Sequence, residues 1–252
     1  MLLDLPCVEI LGVPIARLEP DEALAAIEEA TEKDPPALVA YANAHTLNLA
    51  WTDADYRKLL QKNAAIVLND GAGVAIAARV QRRSFPANLN GSDFNPRILE
   101  LAARRGWPVY FLGARPGVAQ RAAERLAGDI TGLEVVGARD GYFSLDEEQQ
   151  VAADVKESGA QVLMTAMGNP LQEWWLARNL SATGAGLGVG VGAFFDFAAG
   201  EVPRAPSWMN RFGIEWLHRL VLDPRRLWRR YVLGNPLFLL RVVRERVRGR
   251  GA

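Results

Sequence analysis

The chain of 252 residues holds one cysteine, Cys7, and only two histidines. A single thiol excludes an intramolecular disulfide framework and fits a reducing compartment. One cysteine and two histidines also leave no thiolate or imidazole cage for a metal. Long apolar runs are missing: no stretch approaches the roughly 20 residues of a membrane-spanning helix. The opening MLLDLPCVEILGV has no basic leader and places Asp4 and Glu9 early, so it does not read as a secretory signal. These absences describe a protein that is soluble or lies on a membrane without crossing it. Its 50% hydrophobic content is enough for a sizeable core.

Net charge is also absent, since 29 basic residues balance 29 acidic ones, but the balance hides an asymmetry. From Ala205 onward eleven arginines, at 211, 219, 225, 226, 229, 230, 241, 244, 246, 248 and 250, face three acids, Glu215, Asp223 and Glu245. The tail is therefore +8 and the remaining 204 residues are −8. An acidic body with a basic tail suggests an anionic partner for the tail: a membrane surface, a nucleic acid or a phosphorylated ligand. A merely solvated helix face is the plainer alternative.

Short apolar runs at 37–42, 64–68, 109–112, 133–136, 161–166 and 187–191 read as buried strands. Amphipathic segments near 20–33, 45–61, 72–82, 93–105, 116–127, 145–157 and 171–180 lie between them, the rhythm of a parallel sheet. The expectation is an α/β, doubly wound, mostly parallel Rossmann-like sheet over 1–202. Beyond the Pro203 to Pro206 punctuation, 203–252 is expected to form an Arg- and Trp-rich helical appendage, broken by Pro224 and Pro236.

Ligands of such sheets bind outside the carboxyl ends of the strands. There the chain places Asn43, Asn69-Asp70-Gly71, Gly113-Ala114-Arg115, Gly168-Asn169-Pro170 with Gln172 and Glu173, and Gly192 with Asp196. Glycine lets backbone approach a phosphate, and a helix start offers free N–H groups to an anion. Asp70 is the candidate general base, since a carboxylate at a strand end can take a proton from an attacking hydroxyl. Its alternative is an N-cap, for which Asp-Gly-Ala-Gly is equally suited. Asn169 can cap the following helix with Pro170 at its first position.

Two motifs fail. Gly188-Val-Gly190-Val-Gly192 lacks G-x-G-x-x-G spacing and a downstream ribose-binding acid, which disfavours a nicotinamide dehydrogenase. Asp53-Ala-Asp55 resembles a metal-binding D-x-D but sits in an amphipathic helical stretch, where charges belong to a solvated face. Without a metal, cations must neutralise a departing diphosphate, and Arg219, Arg225, Arg226, Arg229 and Arg230 can do so in a bidentate manner. Trp208, Trp216, Trp228, Tyr231 and the run 237–240 suit a bilayer interface, or pack the appendage on the body. No nucleic-acid-binding pattern accompanies the charge.

Together these residues resemble the WecG/TagA/CpsF family of bacterial glycosyltransferases from about residue 10 to 233. The resemblance runs through Asn43, Asp70-Gly71, Gly91-Ser-Asp93, Phe111-Leu112-Gly113, Pro116-Gly117, Gly141-Tyr142-Phe143 and Gly168-Asn169-Pro170-x-Gln172-Glu173. It continues through Val191-Gly192, Asp196, Gly200, Arg204-Ala-Pro206, Glu215-Trp216-Leu217, Arg219-Leu220 and Pro224-x-Arg226-x-x-Arg229. It implies metal-independent, inverting transfer from a UDP-sugar to a polyprenyl-diphosphate-linked glycan, with no cofactor. The sugar would be N-acetylmannosamine, its uronic acid or glucose. The enzyme would be cytoplasmic, peripheral on the inner face of the cell membrane, and homo-oligomeric. Carried over by position, Asp70 would be the base, Gln172 would contact the sugar or diphosphate, and Asp196 would belong to the nucleotide site. Arg219, Arg226 and Arg229 would hold the diphosphate. The chain departs from some members at Tyr41, where they have threonine, and at Asn88, where they have arginine. Its tail GNPLFLLRVVRERVRGRG looks most like exopolysaccharide members. The competing classes are a non-catalytic sugar-nucleotide sensor and a basic membrane or nucleic-acid binding module.

Overall fold

A computed structural model of the chain describes residues 5–206, 208–209 and 213–249. It opens with an antiparallel hairpin, β1 (Cys7–Ile10) and β2 (Val13–Ala16). The turn takes Leu11 and Gly12 to φ of 52° and 78°, the paired positive values that a tight two-residue hairpin needs. Sequence reasoning missed this hairpin, because Leu-Gly is not the usual turn pair and four-residue strands show too little alternation.

The body continues as α1 (Pro20–Thr31), β3 (Ala37–Ala42), α2 (Ala44–Thr52), α3 (Ala54–Lys62), β4 (Ala64–Asn69), α4 (Ala72–Val80), α5 (Gly91–Arg105) and β5 (Val109–Gly113). Then come α6 (Val118–Asp129), β6 (Val135–Arg139), α7 (Glu148–Glu157), β7 (Val162–Ala166), α8 (Leu171–Thr183), β8 (Leu187–Gly190) and α9 (Phe194–Ala198). The appendage consists of α10 (Glu215–Leu222), α11 (Pro224–Trp228), a π turn (Arg229–Leu233) and α12 (Gly234–Val247).

Six strands form a parallel sheet in the order β4-β3-β8-β7-β5-β6, the expected Rossmann-like α/β arrangement. Two local expectations are corrected. The single helix foreseen over 45–61 is broken at Asp53, which ends α2 and caps α3 by accepting from the amides of Asp55 and Tyr56, both at 2.9 Å. The strand foreseen at 133–136 runs from Val135 to Arg139, because this edge strand is only half-buried and its apolar residues do not mark its ends.

Strand β3 shows why a continuous apolar run suits this position. Ala37, Val39 and Tyr41 join one core cluster with α1, α5, α6 and α9, whereas Leu38, Ala40 and Ala42 join the other with α2, α3, α4, α7 and α8. Each fully buried valine or leucine here is worth about 1.5–3 kcal/mol. The helix after β3 thus lies on one face and the helix after its neighbour β8 on the other. Chains leaving adjacent strands to opposite faces open a crevice at the carboxyl ends. Phe238 and Val242 of α12, both 0% exposed, belong to the second cluster, so the last helix is anchored in the body.

Candidate active site

On the β3/β4 side, Asn43 follows β3 and caps α2, its Oδ1 accepting from the amides of His45 and Thr46 at 3.0 and 3.1 Å. Capping orients its other end, and Nδ2 donates to Asp70 Oδ2 at 3.0 Å. Asp70, half-buried, is therefore aimed along the rim by its neighbour strand. Gly71 occupies the cap position of α4 without a side-chain cap, which removes the capping reading of Asp70. Asn88 Oδ1 accepts from the Gly71 amide at 3.0 Å, supporting the turn that carries Asp70. Tyr41 is buried, and its hydroxyl donates to Asn95 Oδ1 at 2.7 Å. Burial first, then the Asp70 charge, hold that phenol well above its ordinary pKa, so it stays neutral.

On the β7/β8 side, Gln172 is 1% exposed. Its Oε1 accepts from the amides of Gly168 and Gly192, both at 3.1 Å, tying together the turns after the two strands. Its Nε2 donates to Glu173 Oε1 at 2.7 Å. Asn169 does not cap α8. Pro170 holds the cap position, and Asn169 Nδ2 donates to Glu173 Oε1 at 2.6 Å, drawn inward by the buried carboxylate. Tyr56 completes the group, donating to Glu173 Oε2 at 3.1 Å. Glu173 is 0% exposed, and desolvation raises its pKa to about 7 against the pull of these donors. Two glycines make room for this arrangement. A Cβ at Gly190 would stand 2.7 Å from Gln172 Nε2, and one at Gly113 would stand 2.6 Å from the Ala166 backbone.

The appendage covers the remaining side. Asp196 in α9 is half-buried, and burial raises its pKa while Arg115, Arg226 and Arg219 pull it down. Arg219 lies 5.1 Å over the Phe197 ring, and Arg226 Nε donates to Asp223 Oδ2 at 2.7 Å. Glu215, at the start of α10, is raised chiefly by burial; Arg219 lowers it, while Asp70 and Asp93 raise it. Arg204 reaches Asp93 Oδ1 and Ser92 O, each at 2.6 Å. Arg229 points outward, 5.4 Å over Trp228. Arg211 and Arg250 lie outside the described residues.

The structure therefore gathers Asn43, Asp70 and Gly71 at one end of the rim and Gly113, Gly168, Asn169, Pro170, Gln172, Glu173 and Gly192 at its centre. Asp196, Arg219 and Arg226 face them. Gln172 and Glu173 lie beneath the rim and not on its open surface. Arg230, one of the tail arginines named from the sequence, comes within electrostatic reach of Asp70, and His45, in the first turn of α2 and outside that set, within reach of Arg230. Burial and then the Arg230 charge push the pKa of His45 down to about 4; burial lowers that of Arg230, with Arg219 and Arg226 adding to it and Tyr231 and Asp70 opposing it. Position two residues after Asn43 could have indicated His45. No local pattern separates Arg230 from Arg229, since adjacent helical residues diverge by about 100° and packing decides which turns inward.

The model of the "Glycosyl transferase WecG/TagA/CpsF family" matches residues 8–252. A protein of Bacillus spizizenii named N-acetylglucosaminyldiphosphoundecaprenol N-acetyl-beta-D-mannosaminyltransferase is 30% identical over 214 residues, covering 85% of this chain and 81% of the relative. A Bacillus subtilis protein of the same name is 28% identical over 209 residues, covering 83% and 80%.

Proposed function

The chain belongs to the WecG/TagA/CpsF family of glycosyl transferases, and from that membership we propose that it moves a hexose or N-acetylhexosamine from a UDP-sugar to a polyprenyl-diphosphate-linked glycan, with inversion and without a metal. The relatives' names favour N-acetylmannosamine over its uronic acid or glucose as the sugar, and a diphosphate-linked N-acetylglucosamine as the acceptor. The observation that carries the reading is Asp70, held by Asn43 at 3.0 Å on a rim that the appendage faces with arginines.

The step is a single displacement. Asp70 accepts the proton of an acceptor hydroxyl, the freed oxygen bonds to the anomeric carbon, and the bond to UDP breaks on the opposite face. Charge grows on the departing diphosphate, where Arg219 and Arg226 stand ready beside Asp196. Fixed cations already in place at developing charge cost no reorganisation during the reaction. Arg229, now over Trp228, would turn inward to join them. Gln172 acts by holding the amides of Gly168 and Gly192 in register at the nucleotide's phosphates.

The division at 202 separates a nucleotide-sugar-binding body from the appendage that meets the lipid acceptor. Among the described residues no helix is long and apolar enough to cross a membrane. Helix α12 instead turns Leu237, Leu240, Val243 and Val247 outward with Arg244 and Arg248, on the side opposite its anchors Phe238 and Val242. An apolar stripe edged by arginine suits an anionic bilayer surface, which supports reading the enzyme as peripheral, on the inner face of the membrane.

The test is UDP release across a panel of UDP-sugars against a short-chain polyprenyl-diphosphate glycan, with EDTA present. One donor should support turnover, and Asp70→Asn should cut kcat by about 10²–10⁴-fold with UDP still bound. Unchanged turnover in that variant removes Asp70 as the base, and turnover abolished by EDTA removes the metal-independent mechanism.

A further inference from the structure

The body as a whole is acidic, yet between Asp70 and Asp93 it holds no acidic residue and three arginines, Arg79, Arg82 and Arg83. The fold lays this stretch against the basic tail. A Cβ at Gly73, in the first turn of α4, would stand 3.8 Å from Phe238 Cε1, and Gln81, just after α4, donates through Nε2 to Glu245 Oε2 at 3.1 Å. Helices α4 and α12 therefore run side by side in the same direction. On the other flank of α12, Asn48 Nδ2 of α2 donates to Gly234 O at 2.8 Å, and the Arg241 guanidinium lies 5.8 Å over the Trp51 ring. The three helices form one layer whose outer surface mixes apolar side chains with cations. Ile76 of α4 is 42% exposed and Leu240 of α12 is 46% exposed, while Arg79, Arg82, Arg83 and Arg244 are exposed beside them. Neither α4, the turn after it nor α12 exposes an acidic residue, because Glu245 is buried.

Arg82 is kept in this surface at a cost. It ends α4 in the left-handed region, with φ of 60°. Its amide donates to Arg79 O at 3.0 Å, and the Arg83 amide donates to Ala78 O at 2.8 Å, the paired bonds of a helix terminus that glycine usually occupies. A side chain strains this conformation and glycine does not. An exposed guanidinium returns nothing to the fold at that position, so the cation points to a contact outside the chain. A nucleic acid would call for the charge without the apolar stripe. A bilayer containing anionic lipid uses both, since apolar side chains enter the headgroup boundary and arginines stay with the phosphates.

We propose that α4 and the Arg82-Arg83 turn form, with α12, one docking face for an anionic lipid bilayer, so that the body itself touches the membrane and not the tail alone. The inference rests on the peripheral reading given above and adds the part of the body that meets the lipid. Helix α4 follows directly on Asp70 and Gly71. A bilayer lying along α4 therefore meets the cleft at the residue proposed to take the acceptor's proton, where a lipid-linked acceptor has to arrive.

The experiment measures partition of the full chain onto vesicles of phosphatidylcholine with phosphatidylglycerol, by co-sedimentation, with pure phosphatidylcholine vesicles as reference. Arg82→Gly should lower partition about fivefold, and Arg79→Gln combined with Arg82→Gly and Arg83→Gln about 100-fold, the worth of one and of three cations at such a surface. Because Arg82→Gly relieves the left-handed strain, its thermal midpoint should hold or rise, so a lost fold cannot account for the weaker binding. UDP release on a short-chain acceptor in neutral detergent should be unchanged in both variants. Arg104→Gln, on α5 across the sheet, removes the same charge and should leave partition at the native level. Native partition in the triple variant, or an equal loss in Arg104→Gln, overturns the face. Vesicle binding kept while binding to a single-stranded RNA is lost would give the face to nucleic acid and overturn the bilayer. A native chain that binds neither kind of vesicle brings down the peripheral reading and this face together. Binding lost in Leu240→Glu with Val243→Glu but kept in the triple arginine variant brings down this face alone.

Discussion

The two sides of the cleft are built on opposite principles. Behind β7 and β8, Gln172 is engaged at both ends and both oxygens of Glu173 accept hydrogen bonds, so folding alone completes that cluster. On the appendage side, Arg230 Nε and His218 Nδ1 are enclosed without partners, while burial raises both Asp196 and Glu215. A saturated polar cluster rigidifies the loops it ties. An unsatisfied one is strained as folded and gains stability when an acceptor of matching charge arrives. The contrast teaches where the cleft is a frame and where it is a receptor.

The frame should break most severely at Glu173. Glu173→Ala strands the Asn169 amide, the Gln172 amide and the Tyr56 hydroxyl, so urea denaturation should show a loss of about 3–5 kcal/mol. A loss below about 1 kcal/mol would mean that the cluster is not what holds the turns. Next in size is a pH effect at the same carboxyl. Its folded pKa of about 7 lies above the ordinary 4.5, so the stability tied to its protonated form is complete below 4.5 and is lost as pH rises through 7. Across that window the loss should be on the order of 3 kcal/mol, and Glu173→Gln should flatten it. His45 works in the other direction. Its folded pKa of about 4 lies below 6.5, so its contribution is present above 6.5 and fades as pH falls toward 4. The two slopes oppose each other near pH 5–6, which is why the measurement compares Glu173→Gln with the native chain at each pH.

How far the sequence reveals these two sides follows from the forces that build them. Strands β3, β4 and β8 are legible because a strand covered on both faces is apolar throughout. The rim residues follow at once from the strand ends. The break at Asp53 is less legible, since a cap and a solvated acid look alike until the chain turns. The tail is legible in its charge and opaque in its orientation. Phe238, Leu239 and Leu240 read as one apolar run, yet only Phe238 is fully buried, because the space between α2 and α4 admits one face of α12. The inward turn of Arg230 is likewise set by that docking. Gln172 is identified by its motif, whereas its tie between Gly168 and Gly192 needs two strands to be neighbours in space.

A smaller effect tests the outer face of the appendage. Leu240→Glu combined with Val243→Glu should weaken binding to vesicles containing anionic lipid by about tenfold or more. These side chains are exposed, so stability should move by less than about 0.5 kcal/mol. Unaltered vesicle binding would take the membrane contact away from α12.

The smallest expected change falls on the receptor side and has the opposite sign. Arg230→Met removes an enclosed charge whose Nε has no partner and whose pKa burial has already lowered, and replaces it with apolar volume. Such replacements are neutral or stabilising, so the midpoint of denaturation should hold or rise, by up to about 1 kcal/mol. Were Arg230→Met to destabilise the chain as strongly as Glu173→Ala, the guanidinium would be part of the frame, and the division of the cleft into a completed side and a waiting side would fail.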